Sequence, residues 1–196
     1  MKNNKKLNFL FVLESSKIGG PQLRVINYAN ELKKYHDTKV LASSYYSKDL
    51  KNILIKNNIK FDLLPITWIT KEKKILLNYI IFFIYEIFLI CKYLLSNKID
   101  LVETSSGAYQ IKAAITRTKF IIHLNDTYCP FFFRLILLFT NQFSIGISCA
   151  SQRTHSYYKK YFSKPSVVIQ APINKTFFNI KKKLNNKINI GTLCNI

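Results

Sequence analysis

Short apolar runs alternate with helix-like segments along most of this chain, and this alternation constrains the fold more than any other feature. Seven runs are predicted to be strands, at 7–13, 38–42, 60–64, 100–104, 119–123, 144–148 and 166–170. Segments of helical character lie between them, at about 21–35, 48–57, 72–96, 108–117, 130–142 and 150–162. Continuous apolar strands joined by helices predict βαβ units and a mainly parallel sheet with helices on both faces. The expected fold is therefore α/β, doubly wound and Rossmann-like.

The chain is strongly basic, with 30 Lys and Arg against 10 Asp and Glu and a formal net charge of +20. A charge of this size attracts nucleic acid, acidic lipid headgroups or phosphorylated substrates. The lysines are spread along the chain, with short clusters at 2–6, 71–74 and 181–187, which is also typical of a solvated basic surface. No RNP-like, zinc-finger or helix-turn-helix signature accompanies the charge, so nucleic acid is not the expected partner.

The four cysteines are scattered, at Cys91, Cys129, Cys149 and Cys194. None has C-x-x-C spacing and the histidines do not cluster with them, so no metal site is expected. The apolar run near the N-terminus is only about seven residues, which is too short for a signal peptide. These features predict a cytoplasmic protein whose cysteines are reduced, small core residues.

Residues 75–95 are the most apolar segment, and their number is sufficient for a membrane span. Asn78, Glu86 and Lys92 interrupt the segment, and each has a free-energy cost in hydrocarbon. The segment also falls where the alternation requires a crossover helix, so a buried or interfacial helix is expected. Together with the apolar segment 130–139 and nearby basic residues, it is compatible with a patch that lies on a membrane surface. Ordinary core packing is the alternative.

Two adjacent glycines, Gly19 and Gly20, separate the first predicted strand from a helix that begins at about Pro21. The backbone N–H groups at such a helix start bind anions, and glycines let a ligand come close. Proline suits the first helical turn. The dinucleotide fingerprint G-x-G-x-x-G is absent, so the alternative is a tight turn that binds nothing.

Polar residues also follow three later strands, in "ETSSG" (103–107), "HLNDTY" (123–128) and "SCAS" (148–151). In a parallel sheet these segments meet at the carboxyl ends of the strands, where α/β proteins bind ligands. The set therefore predicts a ligand cleft. Three of the residues are also suitable helix N-caps, namely Asp126, Thr127 and Ser151.

In order and spacing, these segments resemble the N-terminal domain of GT-B glycosyltransferases of the family-4 group. The resemblance rests on "FLFVLESSKIGGPQLRVINYANEL", "DLVETSSG", "FIIHLNDTYCP", "ISCASQRT" and "VVIQAPINKTFF", and it covers residues 7–178. The final "INIGTLCNI" looks like the first strand of the family's C-terminal domain. We therefore expect an N-terminal Rossmann-like domain at 1–178, then a hinge and the first strand of a donor-binding domain at 179–196.

The resemblance implies transfer of a sugar from a nucleotide-sugar co-substrate to an envelope saccharide or a lipid-linked acceptor, with no cofactor and no bound metal. In this family the N-terminal domain mainly binds the acceptor, and its glycine-rich turn approaches the donor phosphates. Many members have histidines at the positions of Glu103, Ser105 and Asn125. The implied binding residues are Gly19, Gly20, Glu103, Ser105, Asn125 and Asp126, and no catalytic residue is assigned.

Residues 1–196 do not include the family's donor domain with its acidic pair. We therefore expect this chain alone to be inactive or incomplete as an enzyme, with a separate chain as a candidate for the C-terminal half. The family also implies peripheral contact with the inner face of the plasma membrane. The alternative function is that of a non-enzymatic basic module that binds a membrane surface or nucleic acid.

Overall fold

The computed structural model describes residues 6–66, 76–127 and 131–170, and within them it contains one seven-stranded sheet. The strand order is β3-β2-β1-β4-β5-β6-β7, and every neighbouring pair is parallel. The strands are β1 (Asn8–Leu13), β2 (Asp37–Ser43), β3 (Lys60–Leu64), β4 (Leu101–Thr104), β5 (Lys119–Leu124), β6 (Gly146–Cys149) and β7 (Ser166–Val168). The predicted doubly wound, Rossmann-like α/β fold is confirmed.

In the described part of the chain, six α-helices connect the strands, each close to its predicted position. They are α1 (Gly20–Leu32), α2 (Lys48–Lys56), α3 (Leu76–Ser96), α4 (Gly107–Ile115), α5 (Phe131–Asn141) and α6 (Gln152–Tyr158), and a short 3-10 helix (Lys159–Tyr161) follows α6. Local chemistry supports these bounds. Asp49 lies in the first turn of α2 and Lys56 in its last, where each charge complements the helix dipole.

The sixth strand begins two residues later than predicted, at Gly146. The reason is that Ser144 completes the preceding turn, where its hydroxyl donates a hydrogen bond to the carbonyl oxygen of Asn141 at 3.1 Å. The seventh strand ends at Val168 rather than at residue 170. Its pairing nevertheless extends one residue further, because the Ile169 N–H donates to the Cys149 carbonyl at 2.9 Å.

Alternate side chains of each strand enter two separate cores. In β1, Phe9 and Phe11 pack on the side of α1 and α2, whereas Leu10 and Val12 pack on the side of α3 and α4. Cys149 belongs to this second core, as predicted for a reduced cysteine. Because the strands are buried on both faces, they read in the sequence as continuous apolar runs.

Helix α3 contains most of the apolar segment 75–95. It is packed against the core through Ile90 and Leu94, while Ile84 and Phe88 on its outer side are exposed. Within the described residues, no helix combines the length and the apolar character that a membrane span requires. The structure thus agrees with a crossover helix that is buried on one side.

Several predictions concern residues outside those that the structure describes. They are the lysines at 71–74, the proline at position 130, the cysteines at 129 and 194, and the hinge and strand at 179–196. The proposed division into 1–178 and 179–196 therefore stays a prediction.

Candidate functional site

The strand order changes direction between β1 and β4, at the centre of the sheet. Helix α1 leaves β1 towards one face, and α4 leaves β4 towards the other. The two strand-to-helix connections therefore diverge and leave a crevice at the carboxyl ends of β1 and β4, which is the usual ligand position in open α/β sheets. Gly19 and Gly20 lie on one side of this crevice and Ser105 lies on the other.

The glycines of the β1–α1 turn keep the start of α1 accessible. Gly19 is the N-cap residue of α1 with an extended backbone (φ −163°), so the turn does not require a left-handed residue. A Cβ atom at Gly20 would meet nothing within 4 Å, and one at Gly19 would meet only the side-chain oxygen of Gln22, at 3.3 Å, and the edge of Pro21. Gly20 is exposed and no other side chain fills the space beside it, and N–H groups at such a helix start attract anions.

Gln22 and Ser16 hold the loop between β1 and α1. The Gln22 side-chain amide donates to the carbonyl oxygen of Ser15 at 3.0 Å, and the Ser16 hydroxyl donates to the carbonyl oxygen of Ser43. The loop is therefore attached both to the first turn of α1 and to the end of β2.

Glu103 is buried in β4, on the side of the sheet that α1 covers. Its carboxylate accepts a hydrogen bond at 2.6 Å from the guanidinium of Arg24 on α1, and both side chains are less than 10% exposed. Burial raises the pKa of Glu103, and the charge and hydrogen bond of Arg24 oppose this change. The pair fixes α1 to β4 at the centre of the sheet. It therefore helps to hold α1 in position next to the crevice.

Two further residues of this polar network, His123 and Ser148, begin the predicted polar segments 123–128 and 148–151, although neither was among the predicted binding residues. The His123 ring nitrogen Nδ1 lies 2.8 Å from the Ser148 hydroxyl and 3.8 Å from a carboxylate oxygen of Glu103. Burial lowers the pKa of His123 to about 3, Arg24 acts in the same direction, and a hydrogen bond with Asn125 opposes both. His123 is therefore neutral at physiological pH and connects Asn125 to the buried network.

The remaining predicted binding residues lie in the turns that follow the carboxyl ends of β4 and β5. Ser105 and Asn125 are half-buried, and Asp126 is exposed. The backbone N–H of Ser106 donates to the hydroxyl of Thr104 at 3.1 Å, which shapes the β4–α4 turn. The structure thus brings Gly19, Gly20 and Ser105 to the crevice, while Asn125 and Asp126 follow the next strand along the sheet.

The third polar segment, "SCAS", has structural roles. Ser148 belongs to the buried network, and Ser151 is the N-cap of α6, where its hydroxyl accepts a hydrogen bond from the Thr154 N–H at 3.1 Å. The prediction of Ser151 as a helix cap is confirmed.

A second buried polar cluster lies on the opposite face of the sheet. Lys112 of α4 is fully buried, and its ammonium group is 3.6 Å from the carboxylate of Glu86 on α3 and 4.4 Å from the centre of the Tyr109 ring. Burial lowers the pKa of Lys112, and Glu86 opposes this change. Glu86, a charged residue within the apolar segment, is thus partnered inside the protein.

No group of three or more His, Cys, Asp and Glu side chains suited to a metal ion occurs in the part of the chain that the structure describes. The candidate site therefore consists of backbone N–H groups, hydroxyl and amide groups around the crevice, supported by the Arg24–Glu103 pair. Such groups bind phosphate and sugar oxygens through hydrogen bonds.

Comparison with solved structures identifies proteins with the same fold. The chain is similar to Anabaena HepE in complex with UDP-glucose, with 16% identity and a TM-score of 0.59 over 88% of this chain and 46% of that one. It is also similar to UDP-GlcNAc 2-epimerase from Neisseria meningitidis bound to UDP-GlcNAc, with 16% identity and a TM-score of 0.59 over 84% and 45%. The MurG protein of Acinetobacter baumannii gives 15% identity and a TM-score of 0.58 over 85% and 45%.

These neighbours have GT-B-type folds, and at such identities the similarity establishes the fold of this chain as a Rossmann-like α/β unit of that type. The chain spans slightly less than half the length of each of these structures. No protein-family model matches the sequence, and no curated protein matches it.

Proposed function

We propose that this chain is the acceptor-side, N-terminal unit of a family-4-like glycosyltransferase, which transfers a sugar from a nucleotide-sugar to an envelope saccharide or a lipid-linked acceptor. A donor-binding domain, in the same polypeptide or in a separate chain, would complete the enzyme. The observation that carries the proposal is the open start of α1 beside the β1–β4 crevice, in a fold shared with structures that contain UDP-glucose and UDP-GlcNAc.

The chemistry of the crevice supports a division of roles among its residues. We assign the N–H groups at Gly19 and Gly20 to a diphosphate, because the positive end of the α1 dipole stabilises negative charge at the start of the helix. Ser105, Asn125 and Asp126 present hydroxyl, amide and carboxylate groups of the kind that bind sugar hydroxyls. Glu103 acts through Arg24 and holds α1 in place.

Binding of UDP-glucose at high concentration to the isotope-labelled chain, followed by NMR, tests this proposal. Binding should be weak, because this chain would supply only the part of the donor site that contacts the phosphates. We expect shift changes at residues 14–20 and 105–107, and a loss of binding in Gly20→Val. Circular dichroism checks that this variant keeps the fold, because it places a branched residue directly before Pro21 in α1. Lys34→Val, just past the far end of α1, is the control and should bind as the wild type does. Shift changes spread over the exposed lysines, and lost on adding salt or duplex DNA, would favour the basic-module alternative instead.

We further propose that the chain lies on an anionic membrane surface through the outer side of α3 and α5. Both helices pack beside α4 on the same face of the sheet, and they expose large apolar side chains, from 41% of Leu138 to 68% of Phe88. Isolated exposed apolar residues are common, but a group of them on a chain with a net charge of +20 suits a surface that is both apolar and negative.

Co-sedimentation with phosphatidylcholine vesicles, with and without phosphatidylserine, tests the membrane proposal. Phe88→Glu should weaken binding to the anionic vesicles. Tyr35→Glu is the matched control, because Tyr35 is 70% exposed but follows α1 on the other side of the sheet. Equal binding to both vesicle types, or an unchanged affinity of Phe88→Glu, would contradict the proposal. Self-association that Phe88→Glu abolishes would instead identify a second copy of the chain as the partner.

A further inference from the structure

Two adjacent tyrosines, Tyr45 and Tyr46, are exposed between β2 and α2, in a segment (residues 43–47) that we call the tyrosine loop. The exposed fraction is 49% for Tyr45 and 90% for Tyr46, so the second ring has almost no contact with the rest of the chain. A buried aromatic ring contributes strongly to the stability of a fold, and Tyr46 makes no such contribution. Its ring is therefore available to a ligand.

The backbone of Tyr46 is left-handed, with a φ of 53°. This region is unfavourable for a residue with a Cβ atom, and Gly, Asn or Asp usually occupies it. An aromatic residue that is both strained and exposed does not serve stability, and residues in such backbone conformations cluster at binding sites. The conformation of Tyr46 thus indicates a role in binding.

Hydrogen bonds fix the base of the tyrosine loop on both sides. The Ser16 hydroxyl of the β1–α1 loop donates to the Ser43 carbonyl oxygen, while the Ser43 hydroxyl donates to the Ile66 carbonyl oxygen at 2.5 Å. The Ser44 N–H donates to the carbonyl oxygen of Leu64, at the end of β3, at 2.8 Å. The two tyrosines therefore extend from a fixed base, and little backbone freedom is lost when a ligand binds.

The tyrosine loop lies at the same end of the sheet as the crevice. β2 is the neighbour of β1, and Ala42 pairs with Leu13, so the loops that follow the two strands begin at the same level. Neighbouring strands are about 4.8 Å apart, and Ser16 connects the two loops directly. The tyrosine loop thus borders the β1–α1 loop on the side away from β4.

The composition of the tyrosine loop favours an uncharged ligand. Each of its five residues has a hydroxyl group and none is charged, although the whole chain has a net charge of +20. The faces of aromatic rings are electron-rich and attract C–H groups, which sugar rings present on their apolar faces. Hydroxyl groups both donate and accept hydrogen bonds, as sugar hydroxyls require. A nucleic acid or an anionic lipid would instead require basic residues.

We propose that Tyr45 and Tyr46 form a stacking platform for an uncharged pyranose ring of the saccharide acceptor. The platform is a subsite beside the crevice and is separate from the anion position at Gly19 and Gly20. It specifies the acceptor chemistry of the site proposed above, and to that extent it rests on the proposed function.

Titration of the full chain with uncharged disaccharides, followed by NMR of labelled tyrosine rings, tests the platform. The probes are maltose, cellobiose and N,N′-diacetylchitobiose, each at high millimolar concentration. We expect at least one probe to shift the ring signals of Tyr45 and Tyr46, and saturation of these rings to transfer to the C–H protons of the sugar. Unchanged ring signals with all three probes would overturn the proposal.

Substitutions at Tyr46 test whether the ring itself binds the sugar. Tyr46→Ser should lower the affinity for the bound disaccharide by roughly two- to twelvefold, the range of one aromatic stacking contact. Tyr46→Phe keeps the ring and should bind as the wild type does. Tyr35→Ser removes another exposed tyrosine, beyond the far end of α1, and is the matched control. An unchanged affinity of Tyr46→Ser, or a loss as large in Tyr46→Phe or Tyr35→Ser, would contradict stacking on this ring.

Tyr46→Gly separates a binding role from a structural one. Glycine adopts the left-handed backbone without strain, so the variant should have a higher melting temperature than the wild type. Its affinity for the disaccharide should nevertheless fall as in Tyr46→Ser. A lower melting temperature would show that the ring stabilises the fold, and would remove the argument from strain on which the platform depends.

UDP-glucose titrations distinguish this inference from the proposed function. Ring shifts with a disaccharide, but no shifts at residues 14–20 with UDP-glucose, would support the platform and contradict the phosphate role of the β1–α1 turn. Tyr46→Ser should leave UDP-glucose binding unchanged, and weaker binding would assign the ring to the uracil base instead of the acceptor. Loss of vesicle binding in Tyr46→Ser would also overturn the platform, because the tyrosines would then contact a membrane.

Discussion

Replacing Arg24 by methionine tests the contribution of burial to an ion pair, because the chain contains a second, exposed pair with the same nitrogen–oxygen distance. Arg24–Glu103 and Lys34–Glu31 both have a nitrogen–oxygen distance of 2.6 Å. The first pair is 6% and 9% exposed, and the second is 55% and 69% exposed. A difference between the two variants therefore cannot come from the distance within the pair, and burial is the largest difference that remains between them.

Arg24→Met leaves the Glu103 carboxylate in the core without its partner. Loss of one member of a buried pair costs about 3–5 kcal/mol, which is a large part of the roughly 5–15 kcal/mol that stabilises a typical domain. Lys34→Met should produce no measurable loss, since solvent screens the exposed pair. Urea denaturation at neutral pH measures both changes in the free energy of unfolding.

The double variant Arg24→Met, Glu103→Leu removes the unpaired charge and should recover most of the lost stability. The single variant should also depend on pH. Without Arg24 the pKa of Glu103 rises further above its ordinary value, so the variant is less destabilised at low pH and loses stability as the pH rises. A single-variant cost below about 1 kcal/mol, or a double variant as unstable as the single one, would refute this account of the network.

Three further predictions concern stability. Gly107→Ala should cost about 1–3 kcal/mol in urea denaturation, because a Cβ there would be 2.8 Å from Ile136. Ser151→Ala removes the hydrogen-bonded cap of α6 and should cost about 1 kcal/mol; an unchanged melting temperature would contradict that role. Arg117 has a left-handed backbone (φ 56°) after α4, so Arg117→Gly should stabilise the protein by about 0.5–1 kcal/mol, and a loss of stability would show that its side chain contributes more than the strain.

The strands and helices were predictable because their signals are local. Phe9 to Leu13 form an uninterrupted apolar run, and the polar turn with Gly19 and Gly20 marks the start of the next helix. Ser151 was identifiable as a cap because a helix cap is set by residues within one turn of each other.

The buried networks were not predictable, because they depend on pairs that are distant in sequence. Arg24 and Glu103 are 79 positions apart, and nothing near Arg24 distinguishes it from the many other basic residues of the chain. In the sequence alone, Lys112 likewise looks like a surface lysine. Its burial follows only from the packing of α4 against α3, which brings it close to Glu86. The position of Glu86 within an apolar helix did indicate a buried partner, because a charge in such a helix requires one.

The central position of β1 has a consequence for the synthesis of the chain. The Asn8 N–H donates to the carboxylate of Asp100, 92 positions later, and β1 pairs with β4 immediately beyond this contact. At typical ribosomal rates, β1 is made roughly 5 to 20 seconds before that partner exists. For most of this interval, until α3 is made, β1, β2 and β3 can assemble only with α1 and α2. Leu10, Val12 and Leu41, on the opposite face, have no cover until then, and α4 is made only after β4. The first half of the nascent chain therefore exposes apolar side chains on one face of its sheet until later helices are made. We expect chaperones to bind this exposed face during synthesis.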